Sequence, residues 1–146
     1  MRKTLLIFVL ALSFLFMSCK SNLVLISSIK ETVIPGRPNI PSYSNYIVNF
    51  KMTANSSVNI NRVEIKNGGK CYICNYLLKK QNGASYLKEL SKQGDYILEI
   101  PLNDKYIISD SSCDSSKEQL LIYYREDGKE NNLTISEFLE KTKTMR

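Results

Sequence analysis

The residues of this chain whose types and spacing could carry chemistry are three cysteines. Cys71 and Cys74 form a Cys-x-x-Cys pair, and Cys113 follows much later in the chain. A pair with this spacing is typical of a redox dithiol or of half a metal site. One hypothesis for the function is therefore a thiol redox or metal-binding protein that uses Cys71, Cys74 and Cys113.

The local pattern around the pair argues against that chemistry. Redox Cys-x-x-Cys pairs lie at a helix N-terminus, where the field of the helix lowers the thiol pKa. Here the alternation predicts a strand that runs to Leu78 and places Tyr72, Cys74 and Tyr76 on one face. Residues three apart in a strand point to opposite faces and lie about 10 Å apart, whereas a disulfide needs Cα atoms within about 7 Å. We therefore expect no bond between Cys71 and Cys74.

A disulfide with Cys113 is the structural alternative. The sequence Asn67-Gly68-Gly69 is typical of a hairpin turn, because Asn and Gly tolerate the positive φ that such turns need. In a β-sandwich this hairpin and the loop around Cys113 would lie at the same end, so Cys71 is the nearer partner. We expect a Cys71–Cys113 disulfide in an oxidising compartment, with Cys74 buried as a small hydrophobic residue. In a reducing habitat the expectation is three unreactive thiols.

Other chemistry is limited by what the chain lacks. The sequence has no histidine, which excludes Ser-His and Cys-His nucleophile pairs and His-ligated catalytic zinc. The acidic residues Asp104, Asp110, Asp114 and Glu118 follow no calcium-loop spacing. No Gly-rich phosphate loop or nucleophile elbow is present. We therefore predict no catalytic residue, no metal site and no cofactor.

The fourth cysteine, Cys19, is distinguished by the segment that precedes it. Arg2 and Lys3 are followed by an apolar run from Leu5 to Met17, and Ser18 stands directly before Cys19. The run is too short to cross a bilayer as a helix, but it has the length and flanks of a secretory signal peptide. A cysteine directly after such a run resembles the lipobox of bacterial lipoproteins. The alternative is an ordinary signal peptide cut near Ser18.

The lipobox resemblance implies a lipid anchor. In bacterial lipoproteins the cysteine thiol takes a diacylglycerol, the peptide is cut just before it, and the new N-terminus is acylated, for example with palmitate. The resemblance thus implies a signal peptide over residues 1–18, a lipid-anchored tether over residues 19–22 and attachment to the membrane through Cys19.

The residues after the cysteine bear on which membrane holds the protein. Lys20 in second place resembles lipoproteins that are sent to the outer membrane. In Bacteroidetes lipoproteins a lysine followed by acidic residues marks export to the cell surface, but Ser21 and Asn22 take those positions here. The predicted location is the cell envelope, on the outer membrane. The sequence does not decide between its periplasmic face and its surface face.

The remaining chain, residues 23–146, has the size of a single domain. Residues 19–146, the chain without the predicted signal peptide, carry 18 basic and 14 acidic residues, a net charge of +4. The basic residues are scattered, and Lys79-Lys80 is the longest run. Because nucleic-acid-binding proteins concentrate basic residues on one element, we expect no nucleic-acid partner.

Alternating apolar residues predict an all-β fold. The period of two is clearest in the segment Tyr46–Met52, and Tyr96–Ile100 and Leu120–Tyr124 are further strong strands. The alternation changes parity near Asn61-Arg62, which predicts a bulge. About seven strands with short turns favour an immunoglobulin-like β-sandwich, with a small β-barrel as the alternative.

Three segments have weaker patterns. Residues 84–92 are consistent with a short helix or an irregular connection, and residues 109–116 with a polar loop. Thr134 and Glu137 have the spacing of a capping box, which would allow a short terminal helix over residues 136–141.

Two hypotheses for the function follow. The first is a lipid-anchored, non-enzymatic envelope β-sandwich that binds a protein or glycan or serves as an assembly subunit. The second is the thiol redox or metal-binding protein that uses Cys71, Cys74 and Cys113.

Overall fold

A computed structural model of the protein describes residues 20–146. The predicted signal peptide and the lipidation site Cys19 lie outside the described residues. Strands are the only regular elements in the described part, which holds no helix of the length and apolar character that a membrane span requires. The strands are β1 (Leu23–Ile34), β2 (Tyr43–Met52), β3 (Val58–Asn67), β4 (Lys70–Cys74), β5 (Leu77–Lys80), β6 (Gly94–Leu102), β7 (Ile107–Ser112), β8 (Gln119–Glu126), β9 (Lys129–Ile135) and β10 (Leu139–Thr144).

The ten strands form two five-stranded sheets that pack face to face. The first sheet has the order β10-β1-β2-β6-β5, and the second has the order β7-β4-β3-β8-β9. The arrangement β1-β2-β6-β5 over β4-β3-β8-β9 is that of an immunoglobulin-like sandwich. β7 and β10 are added at the edges. The predicted β-sandwich is confirmed, and the alternative of a closed barrel is wrong.

The core forms where the alternation of the sequence turns apolar side chains inward. Val48, Phe50 and Met52 of β2 are fully buried, and so are Leu120 and Ile122 of β8. Side chains on successive strand residues point to opposite faces, so the residues between them remain at least partly exposed. The predicted bulge is also present, since the pairing of β3 with β8 shifts between Ile60 and Arg62.

Two tight hairpins occur where the sequence places Gly after Asn or Asp. β3 turns into β4 through Gly68 and Gly69, whose φ angles are 58° and 80°. β8 turns into β9 through Asp127 and Gly128, with φ angles of 48° and 81°. Positive φ at both central residues matches the right-handed twist of the flanking strands.

The two ends of the sandwich are named here by where the described chain starts. The proximal end is the end at which β1 begins, and β2 ends there beside it, with Leu23 paired to Met52. The distal end is the opposite one, where Val33 pairs with Tyr43 and the β3–β4 hairpin lies.

Several sequence expectations need correction. The predicted strand from Cys71 to Leu78 is two strands, β4 in the second sheet and β5 in the first. The chain crosses between the sheets at residues 75–76, where the Tyr76 hydroxyl donates to the Ile60 carbonyl at 2.9 Å. Residues 84–92 form an irregular connection with two isolated bridges rather than a helix. The first half of the predicted polar loop, residues 109–112, lies in strand β7 because it pairs with β4.

The capping-box helix near the C-terminus is wrong, because the chain crosses to the first sheet instead. Phe138 packs edge-on against the buried Tyr46 ring with centroids 5.3 Å apart, and Ser28 donates to the Glu137 carbonyl at 2.6 Å. These contacts lead into β10, which pairs in parallel with β1 from Ile29 onward. Ladder hydrogen bonds thus replace those of a helix.

Candidate functional site

A disulfide joins Cys71 of β4 to Cys113, the residue after β7. It is the pair predicted from the position of the hairpin. The Cys113 N–H also donates to the Gly69 carbonyl at 2.9 Å. Cys71 and Cys113 therefore fasten the end of an edge strand to the rest of its sheet.

Cys74 is a free thiol in the core, with 2 % of its surface exposed. It lies opposite Val63, which is fully buried, whereas Cys71 lies opposite Lys66 on the outer face. Burial raises the pKa of the Cys74 thiol from 9.0 to about 11. Because the thiolate is the reactive form, Cys74 has the environment of an inert thiol.

The acidic residues of the sequence analysis do not converge. Asp104 lies in the β6–β7 connection, Asp110 in the middle of β7 and Asp114 after it. Within residues 20–146 no group of three or more Cys, Asp or Glu side chains is arranged to hold a metal ion.

Glu118 instead bridges the two sheets near the distal end. It accepts a short hydrogen bond from the hydroxyl of the buried Tyr46, and its carboxylate lies 2.7 Å from the Lys30 ammonium. Burial, followed by the neighbouring Glu118, raises the pKa of Tyr46. The phenol therefore stays protonated and acts as a donor.

A polar cluster closes the proximal end around Glu126, which has 7 % of its surface exposed. Its carboxylate accepts from the Ser21 hydroxyl at 2.7 Å and from the Asn22 N–H at 2.8 Å. Ser56 approaches it at 3.4 Å, and Ser21 shares a 3.0 Å hydrogen bond with the Tyr124 hydroxyl. These contacts attach the first residues of the described chain to the end of β8, and we call them the proximal clamp.

Asp127, the next residue, extends the proximal clamp into the turn. Its carboxylate accepts from the Ser57 N–H at 3.0 Å and from the Ser56 hydroxyl at 2.8 Å. These two hydrogen bonds, the backbone one first, lower the pKa of Asp127.

The distal end carries an apolar cleft of about 470 Å³. Its lining combines Ile40, Pro41 and Tyr43 with the end of β6 at Leu102, residues 103–105 of the following connection and the start of β7 at Ile107. Ile40 has 48 % of its surface exposed. The polar residues 103–105 also contribute to the lining. A mostly apolar lining with a few polar groups is the usual composition of a binding site.

A second cavity of about 380 Å³ adjoins this cleft and shares Ile40 and Tyr43 with it. Its other wall is the C-terminal segment, which is held because the Met145 N–H donates to the Ile34 carbonyl at 2.9 Å. A Cβ at Gly36 would lie 2.5 Å from the Met145 carbonyl oxygen. Glycine at this position therefore allows the loop and the C-terminal segment to meet.

Sequence reasoning missed the distal cleft. The composition of the proline-rich segment, residues 35–41, predicts a turn and a loop. The signal for a cleft was Ile40, an aliphatic residue between Asn39 and Pro41 that no predicted strand would bury. The proximal clamp was missed as well, because Glu126 looks like an ordinary polar residue before a turn.

No protein-family model matches the sequence, and no curated protein matches it significantly.

Proposed function

We propose that this protein is a lipid-anchored, non-enzymatic module of the bacterial cell envelope that binds a protein or glycan through its distal end. The observation that carries the proposal is the placement of the two ends. The proximal clamp holds Ser21 and Asn22, two and three residues after the predicted anchor at Cys19, and the apolar cleft lies at the opposite end.

The tether between anchor and domain is very short in this proposal. β1 begins at Leu23 and is 12 residues long, which corresponds to roughly 40 Å from the proximal to the distal end. A lipid on Cys19 would hold the proximal end at the bilayer and present the cleft around Ile40 to the surrounding compartment.

The thiol hypothesis has less support. Two of its three cysteines are bonded to each other, and the third is buried with a raised pKa. A redox protein needs an accessible thiolate of low pKa.

The anchor is tested by replacing Cys19→Ala in cells that express the full chain. We expect the variant to lose acyl labelling and to move from the membrane to the soluble fraction. Ser18→Ala is the matched control, since it keeps a small residue before the cysteine, and it should remain membrane-bound. Labelling that persists in Cys19→Ala would contradict the anchor.

Binding at the distal end is tested by placing a photo-crosslinking phenylalanine analogue at Ile40 in one variant and at Tyr86 in another. Tyr86 has 65 % of its surface exposed and lies in the β5–β6 connection. We expect a discrete cross-linked product from position 40 in intact cells and none from position 86. Equal products from both positions, or none from position 40, would contradict a distal binding site.

A further inference from the structure

Exposed apolar side chains gather around the second of the two distal cavities, which we call the distal pocket. Seven large hydrophobic residues of the described chain are exposed, and three of them, Ile34, Ile40 and Met145, lie in or beside this pocket. Ile40 and Met145 line it, and the Ile34 carbonyl accepts from the Met145 N–H directly before Pro35 of the wall. Single exposed hydrophobic residues are normal, whereas a group of them on one surface marks an interaction site.

The charged side chains of the distal pocket are all basic. Arg37 and Arg146 belong to its lining, which includes no acidic residue. Neither arginine takes part in any of the four ion pairs found within residues 20–146. Because a guanidinium carries its N–H donors in a fork that fits a carboxylate, the pocket offers two partners for an anionic group beside its apolar wall.

The distal cleft has no such preference for one sign of charge. Its lining contains one acidic and one basic residue, Asp104 and Lys105. Leu102 and Ile107, which also line it, are partly buried against the core and are therefore held in place. Since the cleft shares Ile40 with the distal pocket, it offers a fixed apolar surface for a second group of the same ligand.

The lining of the distal pocket fits a polypeptide better than a glycan. Apart from the arginines, Tyr43 alone among the described residues of the lining has a polar side chain. Burying a hydroxyl is costly unless it forms a hydrogen bond, and a sugar ring would bring several hydroxyls against Pro35, Ile40 and Met145. An aliphatic side chain of a polypeptide carries no such cost.

An extended segment also has a suitable repeat for two adjoining cavities. Alternate residues of a strand point to the same side and lie about 7 Å apart, so one aliphatic side chain enters the distal pocket and the next but one enters the distal cleft. The arginines line the pocket and not the cleft. An acidic residue of the ligand is therefore expected two positions beyond the pocket residue, on the side away from the cleft residue.

We propose that the distal pocket and the distal cleft together bind an extended, acidic segment of a partner protein. Two alternate aliphatic side chains fill the two cavities, and a carboxylate beside them pairs with Arg37 and Arg146. The inference rests on the proposed binding role of the distal end and deepens it by naming an acidic and aliphatic polypeptide as the ligand. It does not depend on the lipid anchor at Cys19.

The probe is the capped synthetic peptide Asp-Thr-Leu-Thr-Leu-Thr-Asp, which presents the same pattern in both chain directions. It is added to protein purified from cells that express the full chain, and the methyl NMR signals of isoleucine and methionine are followed. We expect millimolar peptide to shift the signals of Ile40 and Met145. The signal of Ile26, which has 58 % of its surface exposed in the proximal half of β1, should not move.

Two further peptides test the two parts of the pattern. Lysine in place of both aspartates, or serine in place of both leucines, should weaken binding about tenfold or more. No shift at Ile40 and Met145 with the parent peptide, or equal shifts with the lysine peptide, would overturn the proposal.

A charge reversal locates the acidic contact. Arg37→Glu should lose about tenfold in affinity for the aspartate peptide and should gain affinity for the lysine peptide. Lys88→Glu, in the β5–β6 connection, makes the same change in net charge away from the distal end and should bind as the parent protein does. Equal losses in the two variants would show that the peptide responds to net charge alone, which would refute the contact at Arg37.

The outcome can be told apart from a failure of distal binding itself. A tetramer of N-acetylglucosamine that shifts the Ile40 and Met145 signals, where the peptide shifts neither, would overturn the polypeptide ligand and leave a distal glycan site in place. The absence of any cross-linked product from position 40 in cells would instead remove the proposed distal site, whatever the peptide does.

Discussion

The two ends of the sandwich treat their exposed groups in opposite ways. At the proximal end Glu126 is nearly buried and accepts hydrogen bonds from Ser21 and Asn22. At the distal end Ile40 remains about half exposed beside an apolar cleft. The proximal end thus satisfies its polar groups within the chain, while the distal end leaves apolar surface without a cover.

This difference supports the proposal that the proximal end is structural and that binding takes place at the distal end. Burying a carboxylate is costly unless hydrogen bonds compensate it, so the proximal clamp is built to hold the chain in one place. Apolar surface around a concave site is instead a usual mark of a ligand or partner site. The disulfide lies toward the distal end, where it fixes an edge strand that the core does not hold.

Removal of the disulfide should have the largest effect on stability. The bond closes a sequence separation of 42 residues, and the chain-entropy model gives a loss of about 3–4 kcal/mol in the free energy of unfolding. Urea unfolding of the Cys71→Ser, Cys113→Ser double variant measures it, and reduction of the parent protein should give a similar loss. A loss below about 1 kcal/mol would mean that other contacts fix β7.

The proximal clamp is tested by Glu126→Ala. This change leaves the Asn22 N–H and the Ser21 hydroxyl without their acceptor, and we expect a loss of about 2–3 kcal/mol in the free energy of unfolding. Glu130→Ala is the control in the same hairpin, because Glu130 forms an exposed ion pair with Arg125 and such pairs contribute at most about 1 kcal/mol. Equal losses in the two variants would remove the distinction between the clamp and ordinary surface contacts.

The fold could be predicted from the sequence to the extent that local patterns determine it. The alternation in Tyr46–Met52 fixed a strand with one buried face, and the parity change at Asn61-Arg62 located the bulge. The hairpin at Gly68 and Gly69 followed from the φ angles that only a few residues tolerate. These features depend on neighbours in the chain, which a sequence displays directly.

The rest depends on contacts between distant residues. The split of Cys71–Leu78 into two strands and the parallel strand β10 are decided by pairing with Tyr106, Ile29 and other remote positions. The proximal clamp joins Ser21 to Glu126 across more than a hundred residues, so no local pattern reports it. The distal cleft likewise arises because two separate segments, residues 40–43 and residues 102–107, meet.

Tyrosine hydroxyls at the two ends provide a finer comparison. Tyr46→Phe removes the donor to Glu118 in the distal half, and we expect a loss of about 1–1.5 kcal/mol. Tyr124→Phe removes the hydroxyl that contacts Ser21 at the proximal end, with an expected loss of about 0.5–1 kcal/mol. Both are measured by urea unfolding. A larger loss for Tyr124→Phe than for Tyr46→Phe would show that the hydroxyl at the proximal end contributes more to stability than the one in the distal half.

The smallest effect is a pH dependence at Asp127. Hydrogen bonds from Ser57 and Ser56 lower the pKa of its carboxyl below the ordinary value of 3.8. A carboxyl with a lowered folded-state pKa stabilises the protein above its unfolded-state pKa, and this stabilisation is lost as the pH falls through the lower, folded-state value. Asp127→Asn keeps a residue that tolerates the positive φ of the turn but does not titrate.

The measurement is the difference in urea midpoint between the parent protein and Asp127→Asn from about pH 6 to about pH 2. The other acidic groups are common to both proteins, so their contributions to the pH dependence cancel to first order. We expect a constant difference above about pH 5 that shrinks as the solution becomes more acidic. A difference that stays constant to the lowest pH would mean that Asp127 acts through the shape of its turn rather than through its charge.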